Sequence, residues 1–241
     1  MSETYYAGGY WGPRKESPEA CAQRLASFLK GLAVTDSSFV HWYETAKSPK
    51  ASLNRPLRPV QEELTRFVQK NKDPVFDDLG FSIGGWNGAP TAHDDCGFLI
   101  RCGSYDARTN NRCVFSLPGR GANADRVLSA SVLSNTLRVT AAAWEPDWGV
   151  AMSHAHRDMV EAQRAPKSPY VGWVTYLGRH RGTVPPLPAP VRIEPIEDKG
   201  TLIILTPERF MAGNPEHVAL AERVRELLDR ARLLKPLQGQ P

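Results

Sequence analysis

His154-Ala155-His156-Arg157-Asp158 follows an apolar stretch running from Trp148 to Met152. Two imidazoles and a carboxylate at this spacing after a strand can hold zinc and activate a bound water. The phrase therefore admits a metal-dependent hydrolase using His154, His156 and Asp158. Gly80-Phe81-Ser82-Ile83-Gly84 has the spacing of a nucleophile elbow, which exposes a serine on a sharp strand-to-helix turn. Pro146-Asp147 and Glu197-Asp198-Lys199 together offer carboxylates for a divalent metal and a lysine to steady an attacking water. Cys96, Cys102 and Cys113 are soft ligands, and Gly119-Arg120-Gly121 is a glycine-flanked cation.

None of these phrases sits in the context its chemistry needs. His-x-His-x-Asp resembles the metal-binding motif of the metallo-β-lactamase superfamily, but Met159 stands where that family has its next histidine. Only His180 and His217 remain downstream as ligands. Two histidines near a helix start, solvated or hydrogen-bonded locally, are the plainer account. Around Ser82, Asp77-Asp78 precede and Gly84-Gly85-Trp86-Asn87-Gly88 follows, which starts a helix poorly. The Pro-Asp and Glu-Asp-Lys phrases resemble those of restriction-endonuclease-like nucleases. There, however, such residues lie on adjacent strands; here Asp147 follows a predicted helix and Lys199 falls in a predicted turn. The cysteines lack Cys-x-x-Cys spacing and read as small apolar residues in strands. Gly119-Arg120-Gly121 lacks the lysine and hydroxyl of a P-loop.

The elements around these residues come from periodicity and caps. Glu3 to Trp11 reads as an aromatic strand, with Gly8-Gly9 marking a bulge or a close backbone approach. Ser17-Pro18 reads as a cap and first helical position, followed by Cys21, Leu25, Phe28, Leu29 and Leu32 on one face. A short helix is expected over Ser37 to Ala46 and a loop over 47–59. Val60, Leu64, Phe67 and Val68 restore the helical period, and Pro74 closes that helix or lies just past it. Phe98–Cys102 and Cys113–Leu117 form a predicted hairpin with the polar tip Ser104–Asn111. A helix is expected from Asp125 to Trp144, a strand from Tyr170 to Leu177, and a hairpin from Arg192–Ile196 and Thr201–Leu205. A last helix follows Asn214-Pro215, and the tail from Pro236 is expected to fray.

Strands and helices cluster rather than alternate, which favours an α+β fold with a largely antiparallel sheet and flanking helices. Val184 to Pro190 is the one proline-rich segment, and too little chain follows it for a second domain. A single domain over 1–241 is expected. At 241 residues the chain can bury roughly 70–75% of its unfolded surface without disulfide or metal. Thirty Lys and Arg against 26 Asp and Glu give +4, too little and too dispersed for a nucleic-acid binder. The first residues lack the pattern of a signal peptide, no apolar run approaches a membrane span, and four cysteines make no disulfide framework. These point to the cytoplasm, with no membrane contact.

Tryptophan beside glycine is the unusual feature: Tyr10-Trp11-Gly12-Pro13-Arg14, Gly85-Trp86-Asn87-Gly88, Trp144-Glu145-Pro146-Asp147-Trp148-Gly149 and Gly172-Trp173. In this order the phrases resemble the immunity protein 52 family of bacterial polymorphic-toxin systems. The opening Tyr5-Tyr6 with Tyr10-Trp11-Gly12-Pro13-Arg14, and Pro146-Asp147-Trp148-Gly149, carry most of the likeness, which runs from Tyr5 to about Leu205. The resemblance implies a protein encoded beside a toxin effector, which it binds and neutralises in the producing cell. Such toxins commonly look like nucleases of restriction-endonuclease fold, some delivered by type VI secretion. The family brings no catalytic residues, so the resemblance implies no enzyme, no cofactor and no metal.

An inhibitor mimicking nucleic acid should be strongly acidic, because phosphate contacts dominate such sites. A net charge of +4 leaves two modes open. Either a local acidic patch meets the toxin, or binding occurs away from its active site. The candidate patch is Asp77, Asp78, Asp94 and Asp95, in loops flanking Trp86 and Asn87. Carboxylates around a tryptophan would make an anchor with a charged rim.

Overall fold

The computed structural model describes residues 3–237. Its strands are β1 (Tyr5–Trp11), β2 (Tyr43–Glu44), β3 (Phe81–Trp86), β4 (Gly97–Cys102), β5 (Asn111–Ser116), β6 (Trp148–Ser153), β7 (Val174–Gly178), β8 (Arg192–Ile196) and β9 (Gly200–Ile204). The helices are α1 (Pro18–Ala33), α2 (Pro49–Leu53), α3 (Gln61–Lys70), α4 (Ala122–Val127), α5 (Ala130–Trp144), α6 (His154–Val160) and α7 (Pro215–Arg230). The strands join one sheet in the order β2-β3-β4-β5-β1-β6-β7-β9-β8, every neighbouring pair antiparallel. This is the α+β fold expected from the clustering of elements. Among the described residues no helix is long and apolar enough to cross a membrane.

Side chains alternate across a strand, so each strand offers one set of residues to each face. On one face the sets are large and apolar. Ala7, Gly9 and Trp11 of β1, Phe81 and Ile83 of β3, Phe98, Ile100 and Cys102 of β4, and Cys113 and Phe115 of β5 pair across the register. The helices pack here. Phe28 of α1 meets Phe98 edge-on at 6.1 Å, and Trp144 of α5 stacks on Trp11 at 5.7 Å. Gly9 lets α5 approach: a Cβ there would lie 2.8 Å from Thr140 Cγ2. The close approach expected at Gly8-Gly9 is present without a bulge, because β1 keeps unbroken register with both neighbours.

Caps hold the long helices where the sequence sets them. Ser17 Oγ accepts the Ala20 N–H at 3.2 Å, and Asn214 Oδ1 accepts that of Glu216 at 3.0 Å. Four expectations are corrected. Ser37 to Ala46 is not a helix but one 3-10 turn, Ser37–Phe39, running into β2. The three-residue spacing of Phe39 and Trp42 reflects a local tuck, in which Trp42 Nε1 donates to the Phe39 carbonyl at 2.8 Å. Residues 47–59 hold α2, capped by Ser48. The helix expected from Asp125 breaks at Leu128-Ser129, because Ser129 caps α5 afresh through the Val132 N–H. The strand expected from Tyr170 begins at Val174, since 170–173 crosses the sheet instead of joining it. As for the fraying tail, Leu237 is buried and residues 238–241 lie outside the described residues.

Candidate functional site: a bare sheet face

The three residues of the zinc phrase do not converge. His154 and His156 are two positions apart on α6, so they project from nearly opposite sides. His154 packs on Tyr6 at 5.0 Å, while His156 is buried against Phe210 at 4.7 Å. Asp158 points to solvent and pairs with Arg157 at 2.7 Å. Burial lowers the His154 pKa and takes that of His156 down to about 4. Ser82 lies mid-strand in β3 and not on a strand-to-helix turn.

Asp147 and Lys199, by contrast, come to the same end of the sheet, where their functional groups are fully engaged. Asp147 accepts the Gly12 N–H at 2.9 Å and faces His180 Nε2 at 2.8 Å. Lys199 Nζ is 2.7 Å from Glu145, which also pairs with Arg24 at 3.2 Å. That cluster ties α1, the end of α5 and the β8–β9 turn together. It leaves no lysine free to position a water.

The second sheet face divides in two. Over β6, β7 and β9 it is covered. The 168–173 segment crosses β6 so closely that a Cβ on Gly172 would meet Val150 Cγ2 at 2.5 Å. With α7 that segment, together with His156, lines a cavity of about 370 Å³. Over β3, β4 and β5 the face has no such cover, while at β1 it closes over buried Tyr6 and Gly8. The burial pattern of β3, β4 and β5 alternates strictly, buried inward and open outward. The outward set is Ser82, Gly84 and Trp86, then Gly97, Leu99 and Arg101, then Arg112, Val114 and Ser116, bounded by Tyr6 and Tyr10.

An antiparallel sheet often turns one face to water, and that face is then usually polar. This one is not. Leu99 is 48% exposed and sits opposite half-buried Val114. Trp86 is half-buried at one end, 6.4 Å from Tyr43. Gly84 and Gly97 leave the floor flat. At the other end the register sets Arg101 directly opposite Arg112.

The anticipated rim residues flank this face at both ends. Asp94, Asp95, Trp86 and Asn87 are brought together in the turn after β3. Trp86 Nε1 donates to Asp95 at 3.0 Å, and Asn87 Oδ1 accepts the Cys96 N–H at 3.1 Å. Asp94 accepts from Thr91 at 2.8 Å and Asn123 at 2.9 Å. Asp77 and Asp78 lie before β3, a strand length of about 17 Å away. The four carboxylates therefore do not form one patch. Asp77 pairs with Lys72 at 2.7 Å, and the Asp78 carbonyl anchors Ser104, Tyr105 and Asp106. Exposed Val75 and Phe76 sit beside them in sequence.

Sequence reading missed Leu99, Arg101, Arg112 and Val114. The signal was present: within the expected hairpin these are the positions alternating with Phe98, Ile100, Cys102, Cys113 and Phe115.

No curated protein matches the chain. Among solved structures it is similar to the Pseudomonas aeruginosa T6SS protein PA0821, with a TM-score of 0.57 and 14% identity over 99% of this chain and 76% of that one. At that identity the likeness concerns the fold. The model of the family described as immunity protein 52 matches residues 3–237, and the chain belongs to that family.

Proposed function

We propose that this chain binds a cognate toxin effector and neutralises it by direct protein–protein contact in the cytoplasm of the producing cell. The toxin is a nuclease of restriction-endonuclease fold. The chain acts without catalysis, cofactor or metal, and touches neither membrane nor nucleic acid. The observation that carries this reading is the bare sheet face in a member of an immunity protein family. It is a flat strip with an apolar centre, a tryptophan at one end, charged loops at both ends and, among the described residues, no catalytic constellation near it. Interfaces of this kind place a desolvated apolar centre inside a polar rim. On this reading Trp86, Asn87, Asp94 and Asp95 form one rim, and Asp77 and Asp78 the other.

The sheet edges support face-on binding. β2 has two residues, and β8 carries Pro195. Neither offers a partner a clean ladder for strand addition.

Co-expression with the effector encoded beside the chain tests the proposal. Neutralisation in a cell needs nanomolar affinity, about −12 kcal/mol. Leu99→Glu places a charge at the centre of the strip and should cost about 2–4 kcal/mol of binding, abolishing rescue. Rescue should survive His154→Ala and Asp158→Ala. Rescue lost with either of those, in a folded protein, would return the argument to an enzyme. Full rescue by folded Leu99→Glu would remove the sheet face from the interface.

A further inference from the structure

We propose that the Arg101–Arg112 pair is a carboxylate receptor, and that the partner docks an acidic, apolar segment on the bare face. This rests on the toxin-binding reading above and names the chemistry of the docking element.

The pair is an anomaly in a folded sheet. Like charges directly opposite one another on a strand pair are destabilising. Most other strand and helix arginines, Arg66 of α3 excepted, have acids: Arg24 with Glu16 at 2.6 Å, Arg126 with Asp36 at 2.7 Å, Arg138 with Glu194 at 2.6 Å. Among the described residues no carboxylate forms an ion pair with Arg101 or Arg112. Arg101 acts only weakly on Asp73, whose carboxyl is held low chiefly by the Phe76 and Val75 N–H groups. Arg112 is half-buried, and its Nε lies out of contact with water and has no hydrogen-bond partner. A desolvated, unpaired guanidinium donor is costly unless a ligand completes it.

What surrounds the pair fits a carboxylate on a protein. The next outward positions are Leu99 and Val114, so docking would desolvate the guanidinium groups beside an apolar floor. Guanidinium forks at directly opposed strand positions suit bidentate carboxylates. Nucleic acid suits the face less well. A stacking platform needs open ring faces. The Tyr10 ring is stacked on Trp148 at 4.3 Å and folded over Gly8, while Trp86 is tied to Asp95, whose charge repels phosphate.

The test is the affinity of the full chain for the adjacent effector, catalytically inactivated, at low and moderate salt. The variants are Arg101→Glu with Arg112→Glu, Arg101→Gln with Arg112→Gln, Arg101→Lys with Arg112→Lys, and Leu99→Glu. Charge reversal should weaken binding by about a hundredfold or more and invert its salt dependence. The glutamine pair should lose roughly tenfold or more, and the lysine pair should restore only part, lacking the fork. Thermal melting of each variant is the control: the glutamine pair removes the repulsion and should leave Tm unchanged or raise it, while the glutamate and lysine pairs keep a like-charge pair and should melt near the wild type. Wild-type affinity in the reversed variant, with Leu99→Glu defective, would overturn the receptor and keep the interface. Wild-type affinity in both would overturn both. A single-stranded oligonucleotide that binds the wild type, competes with the effector and is lost on reversal would reassign the pair to phosphate.

Discussion

Acid should unfold this protein in part through His156, and replacing that residue should remove the effect. The side chain is 1% exposed, between Phe210 and the wall of the α7 cavity. Burial, opposed only weakly by Glu3, takes its pKa from 6.5 down to about 4. Between those values the unfolded chain holds a proton on this residue and the folded chain does not. Stability therefore falls as pH falls through that window, and the folded state carries the full penalty only below the lower value. At about 1.4 kcal/mol per tenfold change in proton affinity, the limit is about 3 kcal/mol. Roughly 2 kcal/mol of that should be lost between pH 7 and about pH 4.5. His156→Leu is the perturbation. His156 Nδ1 has no hydrogen-bond partner, so the substitution breaks none there, and the Ser153 cap contacts only the backbone N–H. Urea midpoints by tryptophan fluorescence, for both proteins at both pH values, give a difference of differences. Carboxylates held low in the fold, such as Asp36 and Glu145, are common to both and cancel. Wild type should lose about 2 kcal/mol more than the variant. Parallel losses would refute the argument and put the acid sensitivity in the carboxylates.

Gly9→Ala should destabilise by about 1–3 kcal/mol, because its Cβ would stand 2.8 Å from Thr140 Cγ2. Thr140→Ser in the same chain removes that methyl and should recover part of the loss in chemical denaturation. Arg232→Gly should stabilise by about 1 kcal/mol. Arg232 holds a left-handed φ of 61° just past α7, with the neighbouring Leu233 N–H bonded to the Leu228 carbonyl at 3.0 Å, a geometry that favours glycine. A lower Tm in this variant would mean that the arginine side chain, not the backbone, holds that end.

The legible parts of the fold were those written in local chemistry. Ser17-Pro18 and Asn214-Pro215 announce α1 and α7 because cap and proline act within one turn. The β4–β5 and β8–β9 hairpins are legible because turn residues separate alternating runs. The illegible parts depend on residues far apart in the chain. β1 pairs with β5 and β6, more than a hundred residues later, so nothing near Tyr5 says that it is a central strand. Phe39 and Trp42 look helical in spacing but are spaced for burial beneath Phe98 and Phe115. The site divides in the same way. Trp86, Asn87, Asp94 and Asp95 were found together because one turn gathers them. Asp77 and Asp78, close in sequence, were set apart by the intervening strand.

Which face of a sheet stays bare is decided by where the helices run out, and here that has a chemical consequence. α1, α3 and α5 spend their apolar faces on one side, while α7 and the 168–173 segment reach only the β6–β9 half of the other. The uncovered half is where the chain keeps flat glycines, exposed Leu99 and two arginines without acids. The carboxylates at its Trp86 end are committed elsewhere: Asp94 to Thr91 and Asn123, Asp95 to Trp86. An inhibitor that imitated nucleic acid would need the reverse assignment, with acids free and cations paired, since the nuclease surface it copies is built for phosphate. The local charges therefore favour the second of the two modes that the net charge of +4 left open, binding away from the active site. On the proposed reading the partner would be held by an element that is itself acidic, and inhibition would follow from what the bound chain obstructs or immobilises rather than from imitation of the substrate.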